Sequence, residues 1–181
     1  MMFRALLIAL VAATALSAPA LAAKKKPEPA AAPAPAAPQP TSIGQFGDWQ
    51  AFQLGAAKTR SCFAITSPKE RKPAGLNRDP ATFFVTRKGG DHNELSFIAG
   101  FPMKEGADAK FTIGKASFAL YVKEANAWVK NAAEEGTVVA TMKKNKSALF
   151  EGASKRGNKT SDRYSLAGFP QALDAISKAC P

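Results

Sequence analysis

One histidine and two cysteines are all that 181 residues provide of the side chains most used for metal and redox chemistry. A structural zinc cage needs about four Cys or His ligands, and an exchanging dithiol needs its cysteines close together. Cys62 and Cys180 are neither. Acid–base chemistry by imidazole would fall to His92, which sits between Asp91 and Asn93 in a polar Gly-Gly-Asp-His-Asn turn, where a solvated role is expected. Acidic residues are also scarce, 14 against 25 Lys and Arg. They are spread over loops, so no carboxylate pair stands out as a glycosidase-type dyad. Two short stretches imitate catalytic motifs and fail. Gly114-Lys115-Ala116-Ser117 lacks the first glycine of a phosphate loop, with Ala109 in its place, and the hydroxyl residue, with Ala116 in its place. Gly152-Ala153-Ser154-Lys155-Arg156 begins like a nucleophile elbow but has Arg156 where the closing glycine belongs. No cofactor and no catalytic residue is expected.

No apolar run reaches the ~20 residues of a membrane-spanning helix. What stands at the N-terminus is shorter: Arg4, an apolar stretch from Ala5 to Leu16, and a small-x-small site at Ala20-Leu21-Ala22. That order is a secretory leader, so residues 1–22 are expected to be removed on export. Residues 23–42 are mostly alanine and proline with scattered charge, an extended tether with nothing to bury. From Ile43 to Pro181 the composition is mixed, about 140 residues, enough for one domain with its own core.

Export gives the cysteine pair a meaning. In an oxidising compartment two isolated cysteines are expected to bridge, and closing the long loop from Cys62 to Cys180 is worth about 4–5 kcal/mol in the chain-entropy account. Sites Asn145 and Asn158 match the glycosylation acceptor pattern, which matters only in a eukaryotic secretory route.

Short aromatic and β-branched runs recur along the domain, bounded by turn residues. Residues 46–53 and 61–67 read as strands, the second with Phe63 and Ile65 on a bulky, core-like face and Cys62 beside small Ala64 on the other, which leaves room there for a second element to approach. Thr82–Lys88 and Glu94–Pro102 flank a Gly-rich turn as a hairpin; Ala109–Gly114 with Ala116–Val122, and Ser147–Ser154 with Thr160–Leu166, read as two more. Trp128 marks a further short strand. Residues 131–145 read as a helix, with Asn131 and Glu134 at capping spacing and lysines at its end, in competition with a strand at Thr137–Met142. The C-terminal helix is clearer: Pro170 suits its first turn, and Phe169, Leu173, Ile176 and Cys180 form one apolar stripe. The expected fold is therefore mainly β, an antiparallel β-sandwich with one or two short helices, including a C-terminal one.

The formal net charge is +11, and the domain stays strongly positive without its leader and tether. The excess gathers at Lys69, Arg71 and Lys72, at Lys143, Lys144 and Lys146, and at Lys155, Arg156 and Lys159. A basic surface of this kind is either simply solvated or attracts acidic partners. Nucleic acid is excluded by export and by the lack of any helix-turn-helix, zinc-finger or RNP-type pattern. Anionic envelope glycolipid, or another envelope protein, is the partner that remains.

Several stretches together resemble a family. Phe46-Gly-Asp-Trp49, Cys62-Phe-Ala-Ile65, Ser96–Pro102, Val138–Lys144 and above all Tyr164–Cys180 are similar, in order, to the invasion-associated locus B proteins of alphaproteobacteria. The resemblance implies an exported, periplasmic or surface-associated β-sandwich named for a contribution to host-cell entry, with no catalytic residues to carry over. Members often place a further cysteine after the first-strand tryptophan in a W-x-V-x-C pattern, whereas Trp49-Gln-Ala-Phe-Gln53 has none. The expectation is a non-enzymatic binding module of the envelope, in the periplasm, at the outer membrane or secreted. A periplasmic assembly or stress-protection factor and an envelope hydrolase with an unrecognised site are the alternatives.

Overall fold

A computed structural model describes residues 38–56, 59–90 and 92–181. The expected leader, and the tether as far as residue 37, lie outside the described residues. The chain runs β1 (Thr41–Phe46), β2 (Trp49–Leu54), β3 (Ser61–Thr66), β4 (Glu70–Lys72), β5 (Thr82–Arg87), β6 (Asn93–Ile98), β7 (Ala109–Ile113), β8 (Ala116–Lys123) and β9 (Asn126–Val129). It continues through α1 (Glu135–Lys143), β10 (Ser147–Ala153), β11 (Lys159–Ser165) and α2 (Phe169–Ala179). The strands form one antiparallel sheet in the order β1-β2-β3-β5-β6-β9-β8-β7-β10-β11-β4.

Aromatic contacts show how this sheet doubles back on itself. Phe83 on β5 and Phe97 on β6 stack at 4.3 Å between centroids. Both also meet the other half of the sheet: Phe83 lies 5.2 Å from Phe111 on β7 and 5.5 Å from Tyr164 on β11, and Phe97 lies 5.0 Å from Phe150 on β10. The halves thus face each other as the two layers of a sandwich, with β8 and β9 at the bend. Period-2 alternation explains the layers, since β8 buries Phe118, Leu120 and Val122 and exposes the residues between them.

The expected strand at 46–53 is two strands. Gly47 takes a left-handed conformation, φ 54°, and turns β1 into β2 so that Phe46 pairs with Trp49. A side chain at Gly47 would run into the Ala167 carbonyl, and one at Gly168 into the Phe46 carbonyl. Only two glycines let this turn sit against the entry of α2.

On β3 the bulky residues do not form the expected core face, whereas the small face of Cys62 and Ala64 receives a second element, as its sequence suggests. Cys62 and Ala64 are fully buried, while Phe63 and Ile65 are partly exposed. The reason is α2: it lies over β1, β2 and β3 on their inner side, and small side chains make room for it. Its stripe of Phe169, Leu173 and Ile176 is buried there. Phe63 instead stacks on Phe52 at 5.6 Å on the outer face, where aromatic neighbours shield one another.

The bridge between Cys62 and Cys180 is present, with Cα atoms 5.9 Å apart across 118 residues of sequence. It pins the end of α2 to β3 in the separation range that disulfides favour. Residues 132–143 are helical, a 3-10 turn capped by the Asn131 side chain leading into α1, so the strand alternative at Thr137–Met142 does not form. β4 lies between two expected strands, where no strand is read from the sequence, and pairs with β11 at the edge of the sheet.

Candidate binding cleft

Two clefts of similar size flank the sandwich, and they differ in the charges that line them. The first, about 490 Å³, opens between the β5–β6 hairpin, α1 and α2. Arg87, His92 and Lys143 line it together with Glu135 and Asp174. His92 is exposed at the hairpin end, as the sequence suggests. Glu135 Oε1 accepts a hydrogen bond from the Leu95 backbone N–H at 3.3 Å, tying α1 to β6. Burial raises the pKa of this carboxyl, and the Leu95 hydrogen bond offsets part of the rise. Arg87 Nε donates to the Cys180 carbonyl at 3.3 Å. Much of what lines this cleft therefore holds α1 and α2 in place.

The second cleft, about 540 Å³, lies between the loop 73–80 and the β10–β11 turn. Arg78, Lys155 and Arg156 supply its charge, and no carboxylate lines it. Leu76, Phe101 and Pro102 supply its apolar surface. Leu76 is one of three large hydrophobic side chains left exposed among the described residues, at 43%. Arg78 is held over the Phe101 ring at 5.9 Å.

Behind that cleft lies a buried charge cluster. Asp162 on β11 is 1% exposed and accepts two hydrogen bonds from Arg71 Nε, at 3.1 and 3.2 Å. Arg78 approaches the same carboxylate at 3.6 Å. Burial pushes the Asp162 pKa up, while Arg71 and Arg78 pull it back. The remaining guanidinium nitrogens reach carbonyls: Arg71 those of Asp79 and Ala99 at 2.8 and 2.6 Å, Arg78 those of Pro73 and Lys72 at 3.0 and 3.5 Å. Tyr164, next inward on β11, is fully buried, and its hydroxyl has no hydrogen-bond partner among the described residues.

The basic residues singled out in sequence separate into three groups. Arg71 points inward and serves the Asp162 cluster. Lys69 and Lys72 are exposed but paired, with Asp48 at 2.5 Å and Glu70 at 3.0 Å. Their hydrogen bonds hold the Asp48 and Glu70 carboxyls below the usual range. Lys143, Lys144 and Lys146 cluster at the end of α1, while Lys155, Arg156 and Lys159 lie on the β10–β11 turn. All six are exposed, and none has a carboxylate partner among the described residues. Sequence reasoning missed Arg78, Leu76 and Phe101. Leu76 and Arg78 share one loop and Phe101 follows β6, and only the folding of the 73–80 loop against β10–β11 joins them to Lys155 and Arg156.

Among the described residues no helix is long and apolar enough to cross a membrane, and no three His, Cys, Asp or Glu side chains are grouped to hold a metal ion.

Comparison with known proteins follows the same outline. The family model described as "Invasion associated locus B (IalB) protein" matches residues 49–177, from the start of β2 into the last turns of α2. Among solved structures, the chain is similar to that of the invasion associated protein b from Bartonella henselae, with a TM-score of 0.59 and 13% identity, over 77% of this chain and 97% of that one. At that identity the likeness is one of fold. No curated protein matches the chain.

Proposed function

The chain belongs to the invasion-associated locus B family, and from that premise we propose that it is an exported, non-enzymatic binding module that attaches to an anionic component of the cell envelope. The observation that carries this reading is the lack of any carboxylate among the residues lining the cleft of Arg78, Lys155 and Arg156. Cations in excess over carboxylates at a concave surface attract acidic ligands, and they do so more strongly at low ionic strength. The disulfide fits a protein that works outside the reducing cytosol. Periplasmic residence, or attachment at the outer membrane, is part of the proposal, and host-cell contact would follow from surface display.

Fractionation of native envelopes tests it. The protein is expected to sediment with membranes at low salt and to be released at about 0.5–1 M salt, where the Debye length shrinks towards ~3 Å. A protein fully soluble at low salt refutes the reading.

A second reading rests on the first cleft, where His92, Glu135 and Asp174 share one rim. In a hydrolase, His92 would act as general base there. Hydrolytic turnover of envelope esters or glycosides that disappears in His92→Ala would establish it in place of the binding reading.

A further inference from the structure

Arg71, Arg78 and Asp162 combine two positive charges with one negative charge in a largely buried place. Their side chains are 20%, 7% and 2% exposed. Backbone carbonyls satisfy the guanidinium hydrogens but leave the net charge unbalanced. A buried excess charge is costly unless an opposite charge comes to it. Asp162 is engaged mainly by Arg71, the nearer guanidinium. Of these three residues, Arg78 is the one that lines the cleft. The excess charge is therefore felt inside the cleft, across from the unpaired Lys155 and Arg156.

Next to these cations the cleft is apolar. Leu76 stands exposed at its lip, with Phe101 and Pro102 beside it. Guanidinium groups suit phosphate oxygens, which they meet as a fork. A surface that sets cations directly against apolar side chains fits a molecule with an anionic head and a hydrocarbon tail. The volume, about 540 Å³, lies within the ~300–1,000 Å³ usual for small-ligand sites. It holds a headgroup and the start of a chain, not a polymer.

We propose that the cleft between the 73–80 loop and the β10–β11 turn seats the phosphate headgroup of an acylated envelope lipid. In this arrangement Arg78, Lys155 and Arg156 contact the phosphate, and Leu76, Phe101 and Pro102 contact the first carbons of the acyl chain. The inference deepens the envelope-binding reading and rests on it. It adds the ligand class and the place where the ligand sits.

The test is sedimentation of the full chain with phosphatidylcholine vesicles containing phosphatidic acid. Three variants are compared: Lys155→Ala/Arg156→Ala in the cleft, Lys143→Ala/Lys144→Ala at the end of α1, and Leu76→Ser. The two double variants remove equal charge from exposed positions. Diffuse attraction therefore predicts equal losses, on the order of tenfold or more each. The cleft proposal instead expects at least a ~30-fold loss from the cleft pair, a much smaller loss from the α1 pair, and a several-fold loss from Leu76→Ser. Inorganic phosphate in millimolar amounts should compete for the wild-type site. Equal losses from both pairs, or no loss from the cleft pair, overturn the proposal. Unchanged binding in Leu76→Ser overturns the acyl contact proposed for the cleft. Salt-releasable attachment to native envelopes without any vesicle binding overturns the lipid cleft and leaves the envelope reading standing.

Discussion

At the helical side of the sandwich, Arg87 and Lys143 share a cleft with Glu135 and Asp174. Beyond the β10–β11 turn, a cleft of nearly the same volume gathers Arg78, Lys155 and Arg156 and no acid. Volume does not separate the two; charge balance and hydrogen bonding do. In the first, Glu135 fastens α1 to β6, and Arg87 fastens the end of α2 to β5. Behind the second, buried Asp162 is outnumbered by Arg71 and Arg78, and in it Lys155 and Arg156 have no carboxylate partner among the described residues. A cleft with charges of both signs, whose polar groups fasten helices to the sheet, is better explained as packing. One whose polar groups carry an unanswered charge is better explained as a site.

The sharpest way to break this contrast is Asp162→Ala. It leaves two guanidinium groups in a largely buried place without their carboxylate. Urea denaturation is expected to show a loss of about 3–5 kcal/mol; a loss below about 1 kcal/mol would show that carbonyls alone suffice and that no excess charge is stored there. Next in size is Cys180→Ala, on the helical side, with an expected loss of about 2–4 kcal/mol. Thermal unfolding with and without a thiol reductant checks it, because the variant should lose all sensitivity to reductant. The smallest effect is that of Glu135→Gln, which keeps a side-chain acceptor for the Leu95 N–H but cannot ionise. Burial raises the folded pKa of Glu135 above 4.5, so the folded state prefers the protonated acid. Wild type is then expected to lose stability as pH climbs from 4.5 through that raised value, whereas the amide variant has no such loss. Melting temperatures across pH 4 to 8 should coincide at the acid end and favour the variant at neutral pH.

The hairpins β5–β6, β7–β8 and β10–β11 were legible because their side chains alternate and their turns carry glycine. The C-terminal helix was legible because Pro170 and the Phe169, Leu173, Ile176 stripe state its start and its buried side. β4 was not. Its three residues are all charged, and its inward member is Arg71, so nothing apolar marks it; short charged strands are how sheet edges are usually protected. On β3, side-chain size pointed the wrong way. Phe63 and Ile65 look like the core face but are only partly buried, because α2 occupies the room left by Cys62 and Ala64 on the other face. The basic segments were visible as charge, yet their roles depend on distant partners. Arg71 turns to Asp162, 91 residues away, while Arg156 finds no acid at all among the described residues. Arg78 gave no signal in its Pro- and Gly-rich loop, since its role depends on Asp162 and Phe101, distant residues it meets only when folded.

The order of strands has a consequence for how the polypeptide is made. β11, the last strand in sequence, separates β10 from β4, and the last helix covers the inner side of β1, β2 and β3. While a chain is still being delivered from its first residue onward, its earliest strands have a bare apolar side and β4 has no neighbour. Hairpins in the middle can form locally, but closure must wait for the final twenty or so residues, as high contact order dictates. Until then the nascent protein is a natural client for holding factors, and a chain cut short before α2 would be left sticky instead of partly useful.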